Sequence, residues 1–175
     1  MDYEFKLSYH LADHDADADA LVERLGAAGC DDALIGIGQP GRLALAFTRE
    51  ADNALAALTS ALADVRRAIP TAKLIEAGPD LVGLTDIAEI AGVSRQNMRK
   101  LAQHHFRTFP TPVHEGSSAL WHLSEVLDWM AQRGNDYNIA PGTVEVAGVA
   151  RQLNLARQAA QLSPAMLREV AGLLT

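Results

Sequence analysis

The chain has 175 residues, 49% hydrophobic and 21% charged, with a formal net charge of −7 at pH 7. That composition excludes wholesale disorder, and the length allows one ordinary domain or two small ones joined by a short link. No run of 18 apolar residues is long enough for a membrane span, and Met1-Asp2-Tyr3-Glu4-Phe5-Lys6 lacks the basic-then-apolar pattern of a signal peptide. The single Cys30 excludes an internal disulfide framework and fits a reducing cytosol, so a cytoplasmic location is expected.

Two breaks divide the sequence. Ala77-Gly78-Pro79-Asp80 and Arg133-Gly134-Asn135-Asp136 combine flexible, polar and helix-incompatible residues, giving segments 1–78, 79–133 and 134–175. In the first, Tyr3, Phe5, Leu7 and Tyr9 alternate with polar residues as in a half-buried strand. Asp17 or Asp19 caps a helix carrying Leu21, Val22, Leu25 and Ala28, which ends between Gly26 and Gly29. Residues 33–37 and 43–47, joined through Gln39-Pro40-Gly41, read as a hairpin. Asp52 opens a helix with Leu55, Leu58, Leu62, Val65 and Ile69 on one stripe, and Lys73-Leu74-Ile75-Glu76 returns as a strand. The order βαββαβ is that of a ferredoxin-like sandwich, a fold that hosts enzymes, sensors and dimerisation modules alike. His10, His14 and the alternating Asp13, Asp15, Asp17 and Asp19 suggest a metal loop only superficially. Counted from any of the aspartates, the glycine and glutamate of a calcium loop are missing, so no metal or other cofactor is expected.

Charge is concentrated in the second segment. Residues 1–78 carry 13 acidic against 7 basic side chains, a balance of −6, whereas Ser94 to Arg107 holds Arg95, Arg99, Lys100, Arg107 and two histidines with no acid. The surrounding residues read as two short helices meeting at a tight turn. Thr85 caps the first, Ala88 is small where the helices cross, and Gly92 ends it in a left-handed conformation. Val93 fills the space between the helices. Ser94 caps the second, with Met98 and Leu101 inward and Arg95, Gln96, Arg99 and Lys100 outward. Such a helix-turn-helix places the start of its second helix in a major groove, where Arg reads guanine and Gln or Asn reads adenine. An αα-corner with a solvated basic face is the structural alternative.

Downstream, Phe109-Pro110-Thr111-Pro112-Val113 leads through Gly116-Ser117-Ser118 to Trp121, and then to Ser124-Glu125-Val126 and Trp129. From about Leu81 to Arg133 the chain resembles the winged helix-turn-helix of the AlpA/excisionase group, related to the MerR class. The resemblance implies a DNA-contacting helix at Ser94 to Leu101 and a wing at Thr111 to Trp121. The candidate DNA-binding residues are Ser94, Arg95, Gln96, Asn97, Arg99, Lys100, His104, Arg107, Ser117 and Ser118, with no catalytic residue. Trp121, Val126 and Trp129 are expected in a small core.

The third segment is expected to form a helical pair, with a second helix opening at Ser163-Pro164 and directing Met166, Leu167, Val170 and Leu173 inward. The overall expectation is an α+β chain that binds double-stranded DNA as a homodimer, with residues 1–78 taking a protein or small-molecule effector. Three alternatives stay open: a protein-interaction adaptor, an antitoxin, and a ligand-binding protein or enzyme on the first segment. Against the enzyme, no nucleophile–base set or glycine-rich phosphate loop is present, and Asp31 and Asp32 beside Cys30 raise its pKa.

Overall fold

Alternating apolar residues on the first strand set the architecture. In the computed structural model, which describes residues 1–15, 17–134, 137 and 139–174, Tyr3, Phe5, Leu7 and Tyr9 are all buried along β1 (Asp2–His10). The chain is α+β, with seven helices and a four-stranded antiparallel sheet among the described residues. β1 lies centrally between β3 (Arg42–Glu50) and β4 (Lys73–Gly78), and β2 (Ala33–Gly36) pairs with β3 at the far edge, giving the order β2-β3-β1-β4.

Helices α1 (Ala18–Ala27) and α2 (Ala54–Ala68) cover one face of this sheet, joining Leu21, Leu25, Leu58 and Val65 to Leu7, Leu45 and Phe47 in one core. Each fully buried leucine or valine there contributes about 1.5–3 kcal/mol. Asp17 caps α1 by accepting the Asp19 and Ala20 N–H groups, settling the choice left by the sequence. Asn53 rather than Asp52 caps α2, accepting the Ala56 N–H at 2.9 Å. The expected stripes are also narrower than predicted. Val22 and Leu55 are exposed, because each lies next to a residue (Leu21, Ala54) that already occupies the inward position.

The acidic loop before α1 has structural duties. Asp15 is buried and accepts from Arg24 at 2.7 Å and from the Thr71 hydroxyl at 2.6 Å, which holds its carboxyl below the usual range. Arg49 is the other internal charge. Its donors reach Asp32, Asp64, the Ser60 hydroxyl and the Gly29 carbonyl, all within 2.7–3.1 Å, so a cation on the inward face of β3 is fully satisfied. Burial, assisted by Asp64, pushes the Cys30 thiol up to about 11, the direction expected from the sequence.

A second core begins after β4. β5 (Leu81–Val82) pairs with β6 (Trp121–His122), and α3 (Leu84–Ile90), α4 (Arg95–His104) and α5 (Leu123–Gln132) gather around Ile87, Met98, Leu123, Val126 and Met130. Trp121, Val126 and Trp129 are buried there as expected, with Phe109 edge-on to both indoles.

α6 (Pro141–Ala159) joins the two cores. Its Val146 and Ala150 pack into the sheet core, while Ala147, one residue round the helix, packs into the second. The expected helical pair therefore divides. α6 is packed, but no described residue of α7 (Pro164–Val170) is buried, and Met166, Leu167 and Leu173 face solvent instead of pointing inward. Val170 is half-buried, and among the described residues no neighbour removes the rest of that face from water. Among the described residues, no helix is long and apolar enough to cross a membrane.

Polar side chains fasten the joint between the cores. Asp80, 1% exposed, is hydrogen-bonded to His122 Nδ1 at 2.6 Å and accepts from Asn154 Nδ2 at 2.7 Å. Asn154 also accepts the Ala77 N–H at 2.9 Å and donates to the Ala77 carbonyl at 2.8 Å. Its amide thus satisfies β4 as a neighbouring strand would, and one buried cluster ties β4, the joint, β6 and α6 together.

Candidate nucleic-acid interface

The turn between α3 and α4 is built from local signals. Asp86 accepts the Gly83 N–H at 2.9 Å, so Gly83 is the N-cap of α3 and not Thr85, which is exposed on the first turn. Gly92 adopts φ +67° after α3, the left-handed conformation that suits glycine. Ala88 is buried at the crossing, and Val93 packs partly against the second core. Ser94 caps α4, its hydroxyl accepting the Asn97 N–H at 3.1 Å.

α4 then has one inward edge. Met98 is fully buried and Leu101 half-buried, three residues apart on the helix, while Arg95, Gln96, Asn97, Arg99, Lys100 and His104 are exposed. Arg95 and Arg99 are one turn apart, as are Gln96 and Lys100, so the six polar side chains form a continuous outer face. Arg107 follows in the next loop, its guanidinium 5.5 Å from the Phe106 ring centre.

The ion pairs show which cations are free. Arg24 is neutralised by Asp15, Arg49 by Asp32 and Asp64, Arg67 by Asp64, and Arg151 by Glu125. Among the described residues, Arg95, Arg99, Lys100 and Arg107 have no acidic partner within 4.0 Å. Lys6, Arg42, Arg66, Lys73, Arg133, Arg157 and Arg168 likewise have none among the described residues, but Arg95, Arg99, Lys100 and Arg107 are the four that lie together, with no acid between them in sequence.

Ser117 and Ser118 are exposed at the tip of a hairpin closed by a single antiparallel bridge between His114 and Leu120. The segment before it, Phe109 to Val113, is not a strand. Pro110 and Pro112 each lack an N–H to donate, and the segment is fixed instead by Trp121 Nε1, which donates to the Pro110 carbonyl at 3.0 Å. Ser94 is exposed, and its hydroxyl is engaged as the cap of α4. The structure thus brings together the α4 residues, with Arg107 just beyond, and carries Ser117 and Ser118 on a separate hairpin.

Two residues were missed in the sequence. Arg133 lies 4.7 Å over the Trp129 ring and donates to His105 Nε2 at 3.0 Å, adding a cation beside the end of α4. Phe106 is 71% exposed next to Arg107, by an apolar groove of about 350 Å³ that includes Ala102, Phe109 and Pro112. Neither has a local signal beyond its residue type. A larger cleft of about 760 Å³ separates the open sheet face from α3, with Glu4, Lys6, Glu76 and Asp86 around it and Leu34 and Ile90 at its sides. Burial, with Asp80 nearby, raises the pKa of Glu76.

Compared with known protein families, curated proteins and solved structures, the chain matches none.

Proposed function

We propose that this chain is a sequence-specific DNA-binding protein, a bacterial or phage transcriptional regulator that acts in the cytoplasm as a homodimer. The supporting observation is the outer face of α4. Three unpaired cations, Arg95, Arg99 and Lys100, project with Gln96 and Asn97 from a helix held by Gly92, Ser94 and Met98, and Arg107 follows in the next loop. Phosphates would be met by Lys100, His104 and Arg107, and base edges by Arg95, Gln96, Asn97 and Arg99. The exposed Ser117 and Ser118 hydroxyls would donate to flanking backbone, the role that the AlpA/excisionase resemblance gives to a wing.

The sheet order and its two covering helices support reading residues 1–78 as a ferredoxin-like sandwich that stays off DNA. The cleft between that sheet and α3 is the place for an effector, because a ligand there would touch both the sheet and the helix against which α4 packs. A second reading, an adaptor that binds protein through the same unit, is favoured by the exposed Phe106 and its groove. Arg99→Ala separates them. The DNA reading expects the preference for a specific duplex to weaken by about 1–3 kcal/mol, with the fold unchanged by circular dichroism. Fluorescence anisotropy on specific and scrambled duplexes measures it, and an unchanged affinity would remove α4 as the reading helix.

A further inference from the structure

The far end of α4 carries a cation that comes from another helix. Arg133, just past α5, lies with its guanidinium carbon 4.7 Å from the centre of the Trp129 ring. His105, the C-cap of α4, meets the same guanidinium, with Nη2 3.0 Å from its Nε2 and Nη1 3.4 Å from its Nδ1. The imidazole is itself tilted against Trp129, ring centres 5.8 Å apart, and Trp129 is buried in the second core. Arg133 is exposed and has no acidic partner within 4.0 Å among the described residues. We propose that Arg133 is a DNA-phosphate contact, a guanidinium that Trp129 and His105 hold beside the last turn of α4 to take a backbone phosphate at the edge of the groove. The inference rests on the reading of α4 as the DNA-binding helix, and adds to it a residue from outside the two helices and their turn.

Placement, charge and free donors carry it together. Outside Ser94 to Arg107, the other cations with no acidic partner lie away from α4: Lys6, Arg42 and Lys73 on strands of the sheet, Arg66 on α2, Arg157 on α6 and Arg168 on α7. Arg133 alone among them stands beside α4. The charge at that point matters because the C-terminal end of a helix presents free carbonyls and the negative end of its dipole, which repel phosphate. A helix that turns its first residues to the base edges brings its far end to the backbone, so cations are needed there. Arg133 joins Arg107 in meeting that need.

A guanidinium has five N–H donors, and at most two are turned to His105, so three or more remain for phosphate oxygens. A mobile arginine loses rotamer freedom when it binds. One already stacked on an indole loses less, and its planar fork keeps a fixed direction.

Salt titration of the full chain on two unrelated duplexes, read by fluorescence anisotropy, tests the assignment. Each phosphate contact contributes about 0.9 to the slope of log affinity against log salt. Arg133→Gln is expected to reduce the slope by about 0.9 per protomer on both duplexes alike, and so to weaken binding about 8-fold at 0.1 M salt relative to its effect at 1 M. Arg133→Lys, which keeps the charge without the planar stack, should keep the slope and bind more weakly than wild type. Arg66→Gln, which removes an exposed cation on α2, should change neither. A wild-type slope in Arg133→Gln, a loss confined to one duplex, or an equal loss in Arg66→Gln would each overturn the inference. Equal loss of slope in Arg133→Lys and Arg133→Gln would do so too, since it would mark a role in the fold alone. Wild-type binding that ignores salt contradicts the reading of α4 and this inference with it, whereas a salt-dependent wild type matched by Arg133→Gln contradicts this inference alone.

Discussion

Asn154 is a polar side chain whose removal should cost more than its size suggests. It is 4% exposed and makes three hydrogen bonds, accepting the Ala77 N–H and donating to the Ala77 carbonyl and to Asp80 Oδ2 at 2.7–2.9 Å. Asn154→Ala removes all three and leaves a buried donor, a carbonyl and a carboxylate oxygen short of a partner. At about 1 kcal/mol or more for each abandoned group, the expected loss is roughly 3–4 kcal/mol, well above that of an exposed polar residue. Urea unfolding followed by circular dichroism measures it, with Asn154→Asp as a comparison that sets a second carboxylate beside Asp80. A loss below about 1 kcal/mol for the alanine variant would refute the idea that this cluster fastens the two cores together.

Other expectations are narrower. Gly92→Ala should lower stability by about 1 kcal/mol from the left-handed backbone alone, since a Cβ there meets nothing within 4 Å; thermal unfolding would show a shift of about 2–4 °C. Asp15→Asn should destabilise at pH 7. Because the folded carboxyl is held below its ordinary range, the stability it contributes is present above the unfolded pKa of about 3.9 and lost as pH falls through the lower folded value. Wild type and variant should therefore differ in urea midpoint at pH 7, with the gap narrowing as pH falls below the unfolded value, and a constant difference would contradict the assigned cause. Cys30, buried with its thiol pushed up to about 11, should resist a disulfide reagent until the chain unfolds, whereas rapid labelling of the native protein would contradict its placement.

The two helices α3 and α4 and the turn between them were readable in the sequence because each signal acts within a few residues: the left-handed Gly92, the Ser94 cap, and the three-residue spacing of Met98 and Leu101. The cap of α3 was misplaced because Thr85 has the favoured side chain, while the actual bond comes from Asp86 back to the Gly83 N–H. Periodicity located α1 and α2 but could not tell that Val22 and Leu55 fall outside the area the sheet covers. The role of α6 was hidden for another reason. Val146 and Ala147 are adjacent in sequence yet enter different cores, and Asn154 meets Ala77 across 77 residues, so no local window contains both partners. The same holds for Arg133, whose stacking on Trp129 and bond to His105 depend on how α5 packs beside α4.

The central claim is that the outer face of α4 binds DNA, and the salt dependence of affinity tests it most directly. Duplex taken from around the protein's own gene and a scrambled duplex would be titrated by fluorescence anisotropy across a salt series. If Lys100 and Arg107, the cations of α4 and its loop assigned to phosphate, each displace one counterion, log affinity should fall against log salt with a slope from these two alone of roughly −1.8 per protomer and about −3.6 for a pair, with tighter binding to the native duplex. A slope near zero, with no preference between the two duplexes, would contradict the account and favour a protein partner at Phe106.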